Sequence, residues 1–446
     1  MVGSGSRKIG VGLLGFGTIG TGVVKVLQQN ADVISQRLGF DLELVRIADL
    51  DTETDRGVDL DGIHFDSDAS GLIADPGVDI VVELIGGYDI ARRFILEAIG
   101  QGKHVVSANK ALLALHGKEI FAAAQQAGLD VGFEAAVGGG IPILRSLREG
   151  LAANHVESVL GILNGTTNYV LTEMERTEEA FEVVLKRAQE LGYAEADPTF
   201  DVEGIDAAHK LALLIGMAFG AELTYEDIPT EGIVRMAPVD FQLAQEFGFR
   251  IKLLGVAKCH RSESGEESIE ARVAPSMVPL NSLLANVDGA MNAVEVKGDA
   301  VGPTLYYGAG AGEMPTASAV VADLMEIARE MQREAGVGAV PPLSYQPESI
   351  QPRPSVSWDQ VEGRSYLRVS ALDEPGVLSR ISGALGESGV GIESVIQRRP
   401  EEGGPVPVII LTHPTSEASL RQALDTLDGL DCVQAPSVQI RIEEDV

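Results

Sequence analysis

One lysine follows a run of acidic residues in the stretch LGYAEADPTFDVEGIDAAHKLALL, residues 191–214. Asp206 and Lys210 are four residues apart, so on a helix their side chains project from one face. An exposed pair of this kind stabilises a helix by only about 0.2–0.5 kcal/mol. Apolar residues surround both positions, however, and a lysine among apolar neighbours is costly unless it is paired or functional. The pattern leaves two interpretations open, a surface ion pair and a catalytic amine.

Three further segments carry polar or glycine residues where ligands often bind. SANKALLA places Asn109 and Lys110 at the end of a predicted strand, the edge at which doubly wound sheets bind ligands. GILNGTTNYVL offers Asn164 and Thr166, although a turn with a helix cap also explains them. YGAGAGEMPTASAV directs a glycine loop, residues 308–312, at the start of a helix. Together these segments favour the catalytic interpretation of the lysine.

A glycine-rich turn near the N-terminus matches the pattern G-x-G-x-x-G. It follows an apolar strand, residues 9–14, and opens a helical pattern, which is the context in which the motif is specific. Glycines there let a pyrophosphate approach backbone N–H groups at a helix N-terminus. Asp49 ends the second strand, where an acidic residue binds the adenosine ribose. The predicted dinucleotide contacts are Gly15, Phe16, Gly17, Thr18, Ile19, Gly20 and Asp49.

The choice between NAD and NADP depends on the neighbours of Asp49. A carboxylate at this place repels a 2′-phosphate, and Leu50 occupies the next position, where an arginine would read that phosphate. Arg46 and Arg56 are nearby in sequence. The sequence therefore favours NAD and leaves NADP open.

Strand and helix patterns alternate over residues 1–137, which predicts a Rossmann-type, doubly wound parallel sheet. Residues 138–315 form a second, mixed region, predicted to be an α+β catalytic and dimerisation domain. The sheet strands are predicted at 9–14, 42–49, 78–86, 103–110 and 129–137, with helices at 91–101 and 115–127. The predicted fold class of the first domain is therefore α/β.

The last third of the chain is predicted to hold a helix, a linker and a small domain. The helix, residues 316–339, is capped by Thr316 and packs back on the core. The proline- and serine-rich stretch 340–362 is typical of a linker. Residues 363–446 read as strand, helix, strand, strand, helix, strand, the ferredoxin-like order. We expect residues 1–345 to fold without this last domain.

Composition limits the partners and the compartment. The net charge of −32 over 446 residues argues against nucleic acid and anionic membranes as partners. The longest apolar run, residues 211–219, is far shorter than the roughly 20 residues that cross a bilayer. No signal-peptide pattern opens the chain, and two cysteines are too few for a disulfide framework. These features favour a cytoplasmic protein.

The motifs resemble those of homoserine dehydrogenases. GFGTIG, ANKALL, FEAAVGGGIPI, GILNGTTNY, GYAEADPTFDVEGIDAAHKLALL and GAGAGEMPTASAV occur in the family's order and span most of the chain. The C-terminal domain resembles an ACT-type amino-acid-binding regulatory domain, which many bacterial members carry. The resemblance implies NAD(P)-dependent interconversion of L-aspartate 4-semialdehyde and L-homoserine, within threonine, methionine and isoleucine biosynthesis.

The resemblance also implies roles for individual residues. Lys210 matches the family's catalytic lysine and would donate a proton to the aldehyde oxygen, and Lys110 would polarise the carbonyl near substrate and nicotinamide. A carboxylate pocket suits the ammonium group of an amino-acid substrate. The implied substrate contacts are Glu195, Asp206, Asp201, Lys110, Asn164 and Thr166, and the further cofactor contacts are Gly86, Lys110 and Gly312.

Three more expectations come from the resemblance. A sodium ion would bind at Glu134 and at the carbonyls of Val137, Gly139 and Ile141, in a structural role. L-Threonine is the natural effector of the C-terminal domain, through the strand–turn–helix ALDEPGVLSRI, and the chain is expected to form a homodimer or homotetramer. Gly391 departs from the pattern, because many ligand-binding members have a small polar residue there. Weak binding, another ligand and a role in assembly alone therefore stay open.

Two other classes of protein deserve comparison. An aspartate-semialdehyde dehydrogenase also joins a dinucleotide domain to an α/β domain, but its chemistry needs a nucleophilic cysteine. Cys259 is the candidate, and it is remote in sequence from every other motif. A non-catalytic nucleotide or amino-acid sensor would be expected to lose its catalytic lysines, whereas Lys110 and Lys210 are both present. Both alternatives are therefore disfavoured.

Overall fold

A computed structural model describes residues 8–332, 340–397 and 405–444. The chain divides into two compact units, each assembled from three segments. Unit 1 comprises Met1–Val156, His209–Tyr225 and Asn292–Pro352, and unit 2 comprises Glu157–Ala208, Glu226–Met291 and Arg353–Val446.

The N-terminal part of unit 1 is a parallel sheet with connecting helices. Its elements are β1 (Lys8–Leu14), α1 (Thr18–Gln29), α2 (Ala31–Leu38), β2 (Asp41–Ala48), β3 (His64–Asp66), α3 (Ala69–Ala74), β4 (Ile80–Glu83), α4 (Asp89–Gly100), β5 (His104–Ser107), α5 (Lys110–Ala127) and β6 (Val131–Gly132). The strand order is β3-β2-β1-β4-β5-β6, and the paired strands are parallel. The predicted Rossmann-type sheet is confirmed.

This sheet forms because its strands are apolar on both faces. Val11 and Val82 on one face and Leu14 and Val81 on the other are fully buried, as expected for a parallel sheet covered by helices on both sides. The strand order reverses between β1 and β4, which makes the carboxyl ends of these strands the place where a ligand binds. Among the described strands of this sheet, only β3 was missing from the prediction, because three residues are too short to show a periodicity. Helices α2 and α3 were not predicted either.

The middle of the chain contributes to both units. Its elements are α6 (Ile143–Arg145), β7 (Val156–Ile162), α7 (Gly165–Thr177), α8 (Phe181–Glu190), α9 (Thr199–Val202), α10 (Ile205–Phe219), β8 (Ala221–Glu222), α11 (Pro238–Glu246), β9 (Phe249–Arg261), β10 (Glu267–Pro279), β11 (Met291–Gly298), β12 (Gly302–Ala309) and α12 (Glu313–Glu330). Strands β7, β9 and β10 are antiparallel neighbours in unit 2. The boundary between the units falls inside α10, after Ala208.

Helix α12 belongs to the core of the dinucleotide sheet. Val320 and Leu324 are fully buried in the same apolar cluster as Val23 and Val24 of α1. The predicted helix start was wrong, because α12 begins at Glu313 with Gly312 as its N-cap, while Thr316 lies buried in the first turn. Residues 333–339 of the predicted helix lie outside the described part of the chain.

The C-terminal domain has the predicted element order with one short strand added. Its elements, after β13 (Gln351–Pro352), are β14 (Glu362–Ala371), α13 (Val377–Glu387), β15 (Ile392–Gln397), β16 (Val406–Thr412), β17 (Thr415–Ser416), α14 (Glu417–Asp428) and β18 (Val433–Ile442). The strands run β18-β14-β16-β15, antiparallel throughout. The ferredoxin-like fold is confirmed.

This domain is joined to the rest of unit 2 by a continuous sheet. Strand β18 pairs in parallel with β10, where Ser276 is opposite Arg441 and Met277 is opposite Ile442. Tyr366 of β14 is fully buried and donates its hydroxyl to the Asp240 carboxylate of α11 at 2.8 Å. The proline-rich stretch before it is therefore followed by a docked domain.

Candidate active site

The turn after β1 has the geometry that a dinucleotide pyrophosphate requires. Gly15 has φ +93°, and a Cβ on it would lie 2.7 Å from the backbone of Leu84, so no other residue fits. Gly17 is the N-cap of α1, whose first turn begins at Thr18 and contains Ile19 and Gly20. The free N–H groups of that turn and the positive end of the helix dipole suit an anion.

Asp49 and Arg56 flank this turn. The carboxylate of Asp49 accepts from the N–H of Phe16 at 2.5 Å and from the N–H of Asp51 at 2.8 Å. The guanidinium of Arg56 lies over the Phe16 ring, 4.7 Å from its centroid, and 3.8 Å from Asp49 Oδ1. Arg46 instead pairs with Asp66 at 2.6 Å. Of the two arginines considered from sequence, Arg56 is therefore the one beside the turn.

Lys110 and Gly86 follow neighbouring strands at the edge where ligands bind. Lys110 is the first residue of α5, and the N-cap Asn109 accepts from the N–H of Leu112 at 3.2 Å. Gly86 follows β4 with φ +78°, and its N–H donates to Glu83 at 3.2 Å. The Asn109 cap fixes the position of the Lys110 backbone at the start of α5.

Two predicted carboxylates of unit 2 meet at one amide. The Asn164 side-chain nitrogen donates to Asp201 at 2.7 Å and to Asp206 at 2.8 Å. Its oxygen accepts from the N–H of Thr167 at 2.8 Å, which caps α7 and fixes the amide orientation. Asp206 is 2% exposed. Two carboxylates oriented by one amide, one of them buried and the other partly exposed, suit a ligand cation.

The junction between α9 and α10 brings these carboxylates to one place. Gly204 has φ +82°, and a Cβ there would lie 3.0 Å from the methyl group of Thr230. This conformation ends the turn that carries Asp201 and begins the helix that carries Asp206. A glycine at this point is therefore part of the site's construction.

Glu195 and Thr166 are arranged differently from Asp201 and Asp206. Glu195 lies exposed between α8 and α9, and its carbonyl accepts from the Gln189 side chain at 3.0 Å. The Thr166 hydroxyl donates to the carbonyl of Tyr193 at 2.6 Å, which anchors the same loop to α7. Thr166 thus holds the segment that carries Glu195.

Lys210 lies on a buried helix. Its side chain is 7% exposed, and Ala208, Leu211 and Leu214 beside it are almost completely buried. The interpretation of Lys210 as half of a surface ion pair is therefore wrong. A buried lysine amine on an apolar helix is a typical acid–base group.

The segment 134–141 turns beneath the second glycine loop. The carboxylate of Glu134 accepts from the N–H groups of Leu144 and Arg145 at 2.9 and 2.8 Å, so it caps α6. Burial raises the pKa of this carboxyl group. The N–H of Gly140 donates to the carbonyl of Ala309 at 3.0 Å, which joins the turn to the loop before Gly312. Val137, Gly139 and Ile141 present main-chain oxygens on this turn.

Acidic side chains support the same region from α12. Asp323 is 3% exposed and accepts from the N–H of Glu134 at 2.8 Å. Burial raises the pKa of Asp323 to about 8, with the Glu134 charge as the next contribution. At the start of α12, Glu313 pairs with Lys25 of α1 at 2.6 Å. Gly312 therefore lies next to the helix that follows the dinucleotide turn.

The C-terminal domain offers a turn of the kind that binds amino acids. Gly376, with φ +89°, is the N-cap of α13 and ends the turn after β14. Gly391 lies close to His413, since a Cβ on Gly391 would be 3.2 Å from the imidazole ring. A small polar residue at 391 would crowd this histidine.

Comparison with known proteins decides the family. One family model, homoserine dehydrogenase, matches residues 142–325, its NAD-binding domain matches 15–134, and the ACT domain matches 365–431. Homoserine dehydrogenases of Pseudomonas aeruginosa and Neisseria gonorrhoeae are each 47% identical, over 98% of this chain and 99% of theirs. The chain belongs to the homoserine dehydrogenase family. It is an oxidoreductase with an NAD-binding domain.

A solved structure agrees with this assignment. The homoserine dehydrogenase of Thiobacillus denitrificans superposes with a TM-score of 0.90 at 48% identity, covering 98% of this chain and 99% of that one. Among the described residues, no helix is long and apolar enough to cross a membrane.

One residue of interest escaped the sequence interpretation. Glu83 ends β4 and is completely buried, although the strand before it is otherwise apolar. The signal was present in IVVELIGG, where a single carboxylate ends an apolar run at the edge that binds ligands.

Proposed function

We propose that this family's reaction, reversible reduction of L-aspartate 4-semialdehyde to L-homoserine, proceeds here with Lys210 as proton donor. Nicotinamide supplies the hydride. The Lys210 ammonium gives its proton to the aldehyde oxygen, and the neutral amine takes the proton back in the reverse direction. Lys110 polarises the carbonyl.

The substrate ammonium is bound by Asp206, Asp201 and Glu195. The observation that supports this most directly is the Asn164 amide, which donates to Asp201 at 2.7 Å and to the buried Asp206 at 2.8 Å. A carboxylate can accept several hydrogen bonds, so acceptance from this amide is compatible with binding of a ligand ammonium. The assignment is tested by measuring the turnover of homoserine with NAD and with NADP. Substrate analogues that lack the ammonium group serve as the comparison.

Cofactor preference supplies one prediction. We expect NAD to be used at least as well as NADP, because Asp49 faces the turn, and Asp49→Asn should raise the NADP-to-NAD ratio of kcat/KM by about tenfold. Arg46→Gln is the matched control and should leave the ratio unchanged, since Arg46 pairs with Asp66. The measurement is kcat/KM for both cofactors. A hundredfold preference of the unmodified enzyme for NADP would instead indicate that Arg56 binds the 2′-phosphate.

A monovalent cation is proposed at the turn 137–141. The carbonyl groups of Val137, Gly139 and Ile141 are hard oxygen donors, which suit sodium. Glu134 is the fourth proposed ligand, because each of its carboxylate oxygens accepts one main-chain N–H group and can still bind a cation. The ion would hold the turn and take no part in proton transfer.

Regulation by L-threonine is proposed for the ACT domain, and it gives a second prediction. Millimolar L-threonine should inhibit the full-length enzyme and raise its thermal midpoint, because a ligand that binds only the folded state stabilises it. Asp373→Asn, in the exposed turn before α13, should weaken both effects. L-Alanine serves as the control amino acid. Unchanged rates and midpoints with threonine would exclude this effector.

Assembly and compartment are also proposals. Strand β15 is the last strand of the ACT sheet in the described chain, and an open sheet edge can pair with a second copy in a homodimer or homotetramer. Cys259 and Cys432 are free thiols, which suits the cytoplasm. Burial raises the pKa of the Cys259 thiol, the opposite of what a nucleophilic cysteine needs, so the aldehyde-oxidising alternative is not supported.

A further inference from the structure

Glu83 is a buried carboxylate to which the proposed reaction gives no role. Its side chain is 0% exposed at the end of β4. Burial raises the pKa of its carboxyl group, although hydrogen-bond donors on several sides oppose this. Because a buried carboxyl group is costly, its position calls for a physical explanation.

Both oxygens of Glu83 accept hydrogen bonds from the loops that follow β4 and β5. Oε1 accepts from the N–H groups of Ile85 at 2.8 Å and Gly86 at 3.2 Å. Oε2 accepts from the Ser107 hydroxyl at 2.7 Å. Glu83 and Ser107 are directly opposite each other on neighbouring parallel strands. The carboxylate therefore joins two loops at the edge where ligands bind.

The Ser107 hydroxyl continues this connection to the start of α5. Its oxygen accepts from the N–H of Asn109 at 3.1 Å. The Asn109 amide donates in turn to the carbonyl of Gly87 at 2.7 Å, which closes a ring of hydrogen bonds between the two loops. Lys110 follows directly as the first residue of α5. The ring thus fixes the backbone of Lys110 relative to Gly86.

The same ring adjoins the dinucleotide turn. The N–H of Leu84 donates to the carbonyl of Leu14 at 2.8 Å, and the Leu84 backbone is the surface against which Gly15 packs. A shift of the β4 loop would therefore also disturb the Gly15 turn, at which the dinucleotide pyrophosphate is expected to bind. Displacements of about 1 Å at such groups lower reaction rates by about 100-fold.

We propose that Glu83 is a positioning residue that acts through Lys110, holding the Lys110 backbone and the Gly86 loop in register for hydride and proton transfer. The inference rests on the proposed role of Lys110. The Glu83 carboxylate contacts no reacting atom in this scheme, so its replacement should change kcat. The carboxylates proposed for the substrate ammonium belong to unit 2, and KM for homoserine should change little.

Three variants test the proposal by kcat, KM and thermal midpoint. Glu83→Ala should lower kcat by about 100-fold and Ser107→Ala by about tenfold, with KM for homoserine within about threefold. Glu83→Gln keeps an acceptor for Ile85 and Gly86 and a donor for the Ser107 oxygen. It should therefore restore kcat to within about tenfold of the unmodified enzyme.

Asp79→Asn is the matched control. The Asp79 carboxylate accepts from the N–H of Gly10 at 2.9 Å, at the opposite edge of the same sheet. It should lower the thermal midpoint and leave kcat within about twofold. The proposal is overturned if the fall in kcat per degree of lost thermal midpoint is the same for Asp79→Asn and Ser107→Ala. Glu83 would then have only a structural role.

Lys110→Ala distinguishes failure of this inference from failure of the proposed function. If Glu83→Ala does not fold, Ser107→Ala and Glu83→Gln decide the question. If Lys110→Ala keeps full activity, the proposed function fails at Lys110. If Lys110→Ala is inactive while the Glu83 and Ser107 variants match the unmodified enzyme, only the present inference is overturned.

Discussion

Lys210→Ala is expected to lower kcat by at least about 100-fold with the fold retained, which is the low end for removal of a general acid–base group. Lys210 is 7% exposed on a helix whose other residues are mostly apolar, so alanine suits the helix. The loss should appear in both directions, because the reduction needs the ammonium and the oxidation needs the amine. Steady-state kinetics with homoserine and with the aldehyde measure it.

A second buried lysine provides the control for this experiment. Lys252 of β9 is 1% exposed, and its ammonium donates to the carbonyl of Val287 at 2.6 Å. Burial lowers the pKa of Lys252. Both lysines are almost completely buried, and Lys252 lies on a different element, in unit 2. Lys252→Met should lower the thermal midpoint and leave kcat within a fewfold. A Lys210→Ala enzyme with more than half the original activity would remove Lys210 from the mechanism.

Local patterns were sufficient for much of the fold, and they also suggested the candidate site residues. The apolar strands around Val11 and Ile80 are buried on both faces, so their sequences alone indicate a parallel sheet. Asp206 and Lys210 were predicted because helical spacing and apolar neighbours are both local properties, and both residues are buried. The same reasoning identified the turn at Gly15, where a glycine is sterically required.

Contacts between distant segments could not be predicted in the same way. The proposed role of Glu83 depends on Ser107 of another strand, and only the sheet register brings the two residues together. The pairing of Ser276 with Arg441 joins residues of two regions that the sequence separates by a proline-rich stretch. Composition indicated a linker there, but composition carries no information about the surface on which the following domain docks.

Removal of the ACT domain is therefore expected to have a large effect on folding, contrary to the sequence expectation. A chain ending at residue 345 should accumulate mainly as aggregate, because it loses β18 and leaves β10 with an unpaired edge. It also loses Glu443, the partner of the buried Arg272, and Arg441, which binds Glu231 at 3.0 Å. Size-exclusion chromatography and the soluble yield measure this outcome.

A single substitution tests the same interface in the full-length chain. Asp240 is 0% exposed and accepts from Tyr366 and from Arg368 Nε, each at 2.8 Å. Asp240→Ala should lower the free energy of unfolding by about 3 kcal/mol, because it leaves a guanidinium and a hydroxyl without their partner. Denaturant unfolding measures the change.

The matched control removes an exposed ion pair of the same domain. Asp359 pairs with Arg421 at 2.9 Å, and both side chains are about half exposed. Asp359→Ala should therefore change the free energy of unfolding by no more than about 1 kcal/mol. If Asp240→Ala is as stable as this control, and the chain ending at 345 is soluble and active, the ACT domain is a separable module. The docking seen at β10 and Asp240 would then contribute to regulation alone, since the catalytic units would fold without it.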